Sequence, residues 1–224
     1  ARGCADPENC PAPLPEVVLV SVVTTGRNAV PGVTRDMGRV FPEQWARFRD
    51  AVPERQREGS LVEAYASLLD DPDPTVREKA ARDWCAWEDT HVAVHSNQSP
   101  DPRYDDPAFR MRFARLVTHY WRHAAWLEDG ALLREATKLA GIPGVLVHGR
   151  LDVSGPADIA WHLAQAWPGC ELVPVDAAGP GPGHPGLAQA PPTPPHPPST
   201  SPPPPLPPQP RLPGSAAGDR RAPW

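Results

Sequence analysis

GVLVHGRLDVSGPADIAWHLAQAWPGCELVPVD, residues 144–176, decides the fold. Its opening GVLVHG (144–149) is a short apolar run of strand length, and CELVPVD (170–176) is a second. Between them Pro156–Trp167 reads as an amphipathic helix with Ile159, Leu163 and Ala166 on one side. Strand, helix and strand at this spacing make a βαβ unit, which requires two parallel strands joined by a crossover. Upstream, VVLVSVV (17–23) is a continuous β-branched run, the pattern of a third strand covered on both faces of a parallel sheet. From residue 33 to 139 the pattern is helical. Pro42-Glu43 opens one segment and Ser60 caps another, while Asp73-Pro74 and Asp106-Pro107 each set a capping side chain before a proline at the first helical position. A strand, a long helical insertion and a βαβ unit describe an α/β sheet with a helical cap inserted between strands.

The ends are a different polymer. Of the 34 prolines, 18 lie at or beyond Pro180. Segments such as SPPPPLPPQP (201–210) can only be extended polyproline II or disordered. Residues 1–16 hold four prolines and no periodicity. The expected organisation is therefore an irregular segment (1–16), a core strand and its connection (17–32), a helical cap (33–140), a core βαβ unit (141–176) and a disordered Pro-rich tail (177–224).

Composition excludes several functions. A formal net charge of −5 and the lack of any long Lys/Arg run argue against nucleic acid. No apolar stretch approaches the roughly 20 residues of a membrane span. Cys4, Cys10, Cys85 and Cys170 are scattered without C-x-x-C spacing, which suggests neither zinc nor a disulfide framework and fits a reducing cytoplasm. No apolar signal-peptide core occurs in the first sixteen residues. No cofactor or metal is expected.

The sharpest local motif is His148-Gly149-Arg150-Leu151-Asp152-Val153-Ser154-Gly155-Pro156, at the end of a parallel strand and the start of a helix. Ligands of open α/β sheets bind off the carboxyl ends of the strands. A carboxylate there can hold a histidine by its Nδ1–H and stabilise the imidazolium formed in acyl transfer. Asp152 could equally cap the following helix together with Ser154. His91 and His95, and His119 and His123, stand four residues apart on helical segments, but neither pair has the Glu of H-E-x-x-H, so both read as cap-surface histidines. Trp84, Trp87, Trp121 and Trp126 read mostly as cap core, with the lining of an apolar pocket as the alternative.

HGRLDVSGP, followed by Trp161, Leu163, Trp167-Pro168 and a last strand, resembles the HGR-x-D-x-x-x-P segment of the proline iminopeptidase family. Phe41-Pro42-x-x-Trp45 and Trp84-Cys85-x-Trp87-Glu88 resemble two further motifs of that family, in the same order, so the resemblance spans about 160 residues. It implies the C-terminal part of a cap-bearing α/β-hydrolase that releases N-terminal proline from peptides. By the same resemblance Asp152 is the triad acid. Glu88 is then a cap carboxylate that binds the substrate's free α-amino group, a role that suits a carboxylate in a partly dry pocket. A second acid of the family falls at Val117, which leaves amine recognition to Glu88.

The reacting centre departs from the pattern. An α/β-hydrolase serine needs a G-x-S-x-G elbow, and none of the nine serines has glycine on both sides at that spacing. Ser21 falls mid-strand and Ser154 follows the acid. The family's Gly-rich oxyanion loop is missing too, and both elements are expected upstream. Where the family's A-G-H turn carries the general base, this chain reads Ala177-Ala178-Gly179-Pro180; His184, four residues on, is the candidate base. The expected activity is that of a serine aminopeptidase acting on peptides with N-terminal proline, inactive as this chain. The alternative is a non-catalytic binding module whose P-x-x-P runs (191–210) dock on SH3- or WW-type grooves.

Overall fold

A computed structural model describes residues 16–24, 29–92, 100–180 and 185–188 of the chain. Three strands, β1 (Val17–Val20), β2 (Gly144–Gly149) and β3 (Cys170–Val175), form one parallel sheet in that order, with Val17 opposite Gly144 and Gly144 opposite Cys170. Among the described residues six α-helices, interspersed with short 3-10 turns, separate β1 from β2: α1 (Ala29–Thr34), α2 (Pro42–Asp50), α3 (Leu61–Leu69), α4 (Pro74–Val92), α5 (Pro107–Arg122) and α6 (Ala131–Glu135). The crossover helix α7 (Ala157–Ala166) joins β2 to β3, and a short α8 (Pro185–Ala188) follows.

Local chemistry sets the helix starts. Ser60 Oγ accepts the Glu63 N–H, Asp73 Oδ1 the Thr75 N–H and Asp106 Oδ1 the Ala108 N–H, each satisfying a first-turn donor that has no partner inside its own helix. Asp101 does the same for Arg103 in the turn before α5.

Two cores form on different periodicities. Within the helical block, Phe48, Tyr65, Trp84 and Trp87 make one aromatic centre: Phe48 stacks on Tyr65 and on Trp87, and Trp84 meets Phe48 and Tyr65 edge-on. Burial of each such ring is worth roughly 1.5–3 kcal/mol, and Tyr65 satisfies its hydroxyl on the Phe48 carbonyl at 2.8 Å. The tryptophans of both quoted helical motifs also tie down α1, Trp45 Nε1 donating to Thr34 O and Trp87 Nε1 to Val33 O. On the sheet, Leu146 packs on one side with Leu163, Trp167 and Ala136, and Val145 and Val147 on the other with Ala178 and Leu187. Every residue of β2 is buried.

Several expectations are corrected. The strand expected over 17–23 ends at Val20, because Ser21 turns into the left-handed region (φ 51) after its N–H pairs with Val147 O. Ser21 therefore lies just past the strand, not in its middle. β1 is covered on one face only: Val17 and Leu19 pack inward, while Val18 and Val20 are 47 % and 40 % exposed. Among the described residues β1 pairs with β2 alone, so its other edge is open. On α7, Leu163 and Ala166 of the expected face pack in the sheet core together with buried Ala160 and, beyond the helix, Trp167, while Ile159 is only part-buried. The Pro-rich tail does not begin cleanly at 177, since Ala178 and Leu187 are buried against β2. Residues 181–184 and 189–224 of that tail, with the P-x-x-P runs, residues 1–15 with Cys4 and Cys10, and His95 lie outside the described residues. No helix among the described residues is long and apolar enough to cross a membrane.

Candidate active site

Asp152 sits one turn beyond the carboxyl end of β2, and it caps no helix. Its Oδ1 accepts the N–H of Ser154 at 3.0 Å and of Gly155 at 2.7 Å, whereas α7 starts behind Pro156 without a side-chain cap. The carboxylate thus closes its own turn. Oδ2 accepts no hydrogen bond among the described residues; the nearest cationic candidate, His148 Nε2, is 3.8 Å away. His148 is itself buried and donates Nε2–H to Gly155 O at 2.7 Å, which leaves its Nδ1 unpartnered. Burial raises the Asp152 pKa, and the Gly155 N–H, the His148 ring and the Ser154 N–H pull it back.

The segment after β3 lies directly over this turn. Leu151 N–H donates to Ala178 O at 3.0 Å, and a Cβ on Gly149 would fall 2.5 Å from the Ala178 carbonyl oxygen and 2.6 Å from that of Gly179. Only glycine allows that approach. Ala178 and Gly179 therefore pass over Gly149 and Leu151, the residues that lead from β2 to Asp152. His184 lies outside the described residues.

Glu88 is not an exposed helix-surface residue. It is 8 % exposed on α4, and desolvation pushes its carboxyl up to about 7. The nearby Trp84 indole N–H offsets part of that rise without making a well-formed hydrogen bond, and Asp89 adds to it. One turn on, His91 places Nε2 3.4 Å from Glu88 Oε2 and Nδ1 2.7 Å from Ser154 Oγ. His91 thus lies between the two carboxylates singled out from sequence: Nδ1 is hydrogen-bonded to Ser154 Oγ in the Asp152 turn, while Nε2 stands near Glu88 without a hydrogen bond to it.

His91 is the residue that sequence reasoning misplaced. Expected on a helix surface, it is 2 % exposed, its pKa lowered by burial to about 4, and it contacts Ser154 in the turn that holds Asp152. Its position three residues after Glu88 puts both on one helix face, which was the available signal. His119 and His123 are exposed and share ring contacts with Trp126. Trp84 and Trp87 belong to the aromatic core, Trp126 is 60 % exposed, and Val117 packs at the edge of that core. A groove of ≈310 Å³ along α3 and α5, lined by Leu69, Arg115, Thr118 and His119 among others, includes neither Asp152 nor Glu88.

Comparison with known proteins agrees with the motifs. A probable proline iminopeptidase of Streptomyces coelicolor is 44 % identical over 173 residues, 75 % of this chain and 53 % of the relative. Proline iminopeptidases of Xylella fastidiosa (37 % over 142 residues, 63 % of this chain and 45 % of the relative) and Arabidopsis thaliana (35 % over 150 residues, 66 % and 40 %) also match. By sequence, the chain is a homologue of the proline iminopeptidases. No family model matches it. The chain spans about half the length of the curated relatives it matches. A parallel sheet interrupted by a helical insertion is compatible with part of an α/β-hydrolase, the fold that the proline iminopeptidase motifs implied.

Proposed function

We propose that this chain is the acid-and-recognition part of a serine aminopeptidase that releases proline from peptide N-termini, with the helical block as its cap. Asp152 is the triad acid and Glu88 the carboxylate that receives the substrate's cationic amino group. One observation carries the reading: a buried aspartate at the carboxyl end of a parallel strand, fixed by two backbone N–H groups through Oδ1, keeps Oδ2 free of described hydrogen bonds. An acid that must hold a histidine needs such an oxygen.

Glu88 supports the second role. A carboxyl raised to about 7 by burial has no cationic partner among the described residues to keep it ionised. A cationic amine entering beside it would supply that partner and gain more than it would in water, because the local dielectric is low. His184, or another histidine, would act as base. The nucleophile and oxyanion donors have no candidate in this sequence, since no G-x-S-x-G occurs in it.

Two measurements test the reading. Prolinamide added to the full chain is expected to lower the Glu88 carboxyl titration, followed by carbon NMR, and Glu88→Gln to abolish its binding. An unchanged Glu88 titration at millimolar prolinamide refutes the recognition role. The purified chain is expected to leave a chromogenic proline amide intact; turnover that disappears in Asp152→Ala would refute its catalytic incompleteness.

A further inference from the structure

The end of α5 and the turn after it carry a surface that neither core uses. Leu116, Tyr120 and Trp126 are 59 %, 51 % and 60 % exposed, with His119 and His123 exposed beside them. The rings are gathered rather than scattered. Between centroids, Trp126 lies edge-on to Tyr120 at 5.5 Å, stacks on His123 at 5.1 Å and meets His119 at 5.2 Å. An uncommon backbone sets this arrangement: Ala124, Ala125 and Trp126 stand at φ 48, 50 and 56, three successive left-handed residues, a conformation that a Cβ disfavours. Such a turn persists only where its surroundings hold it, and here it brings the Trp126 ring against His119 in the last turn of α5. His119 also lines the groove of ≈310 Å³ along α3 and α5, so groove and rings form one continuous surface.

The polar groups of this surface narrow what fits it. Arg122 lines the groove with a buried Nε that has no hydrogen-bond partner. The one carboxylate along the groove, Asp70, lies 3.7 Å from the Arg115 guanidinium. Aromatic faces and a spare donor suit a chain that offers apolar rings and carbonyl acceptors. Proline is such a residue, since it keeps its carbonyl and lacks an N–H, and aromatic-lined grooves take Pro-rich segments that are already extended. The chain contains one. Seven of the ten residues of SPPPPLPPQP (201–210) are proline, and none is Asp, Glu, Lys or Arg. It also has the reach: Leu187 is seated against β2, and residues 189–200, when extended, span roughly 40 Å, about the diameter of a folded unit of this size. A tether of that length gives an effective concentration near the millimolar range, so a shallow site suffices.

We propose that residues 201–210 dock across the α3–α5 groove and the Tyr120 and Trp126 rings of the same chain. Proline rings lie on the aromatic faces, and a backbone carbonyl takes the Arg122 Nε–H. The helical block thereby carries a polyproline-binding surface apart from Asp152 and Glu88, and the segment that fills it is its own.

The experiment is proton NMR of the full chain, following nuclear Overhauser contacts from the Tyr120 and Trp126 rings to proline ring protons, together with the Arg122 Nε–H signal. Contacts are expected in the parent chain, unchanged on dilution and, because 201–210 has no charged residue, unchanged in high salt. The combined variant Pro203→Ser, Pro204→Ser, Pro207→Ser, Pro208→Ser should abolish them and shift Arg122 Nε–H, without touching any described element. Trp126→Ala, at an exposed ring outside both cores, should abolish the proline contacts of Tyr120 while the Phe48 and Tyr65 signals stay in place. Rings without proline contacts in the purified parent chain leave the surface to a separate partner and overturn the proposal. Contacts that persist in the proline variant overturn it as well, and contacts that fade on dilution place a second copy there instead.

Discussion

At the scale of single residues, burial shifts Glu88 and His91 so that their contributions to stability change with pH in opposite directions. Glu88 has its folded pKa raised to about 7 from 4.5, so the folded state holds a proton that the unfolded chain has lost, and the stability this gives disappears as pH rises through that window. His91 has its pKa lowered to about 4 from 6.5; the unfolded chain takes the proton there, and stability grows as pH rises from 4 to 6.5. At about 1.4 kcal/mol per pH unit each slope amounts to about 3 kcal/mol. The two contributions largely cancel between pH 4.5 and 6.5 in the parent chain. Urea unfolding of Glu88→Gln at a series of pH values is therefore expected to show stability rising with pH over that range, and His91→Phe to show it falling. Equal slopes in both variants would contradict the assignment. Neither slope was legible in the sequence, where Glu88 sat in a motif and His91 in a bland pair, because burial is a property of what packs over a side chain.

Among the elements, the meeting of β2 with the segment after β3 is the tightest. Gly149→Ala would drive a methyl group into the Ala178 and Gly179 carbonyls, backbone atoms that move only with the whole segment. Overpacking of that kind costs about 1–3 kcal/mol, and a fall of that size in the urea midpoint energy is expected, with weaker amide exchange protection at Leu151, which bonds Ala178 O. An unchanged midpoint would mean that the segment is not seated there. Helix starts at Ser60, Asp73 and Asp106 and the strand–helix–strand order of 144–176 were readable, since capping and periodicity are local. Where β1 stops was not. Val20-Ser21-Val22 carries no breaker, and its turn follows from the last pairing of Ser21 with Val147, some 126 residues away in sequence.

At the scale of the whole molecule, Val18 and Val20 are exposed and, among the described residues, one edge of β1 is unpaired, an arrangement that invites edge-to-edge association. The double variant Val18→Lys, Val20→Lys is expected to reduce self-association in sedimentation or light scattering without lowering the melting temperature; association unaffected by the added charge would locate the sticky surface elsewhere. What the sequence determined by itself was the order of strands and helices, the family resemblance and the two carboxylates worth following. Each of these rests on residue type and spacing within a short window. The tertiary structure decided that Asp152 closes its own turn, that Glu88 is buried, and that His91 meets Ser154 in the Asp152 turn across 63 residues of chain. Those facts arise from long-range packing of α4 onto the turn after β2, and no local pattern of residues encodes a contact between segments so far apart.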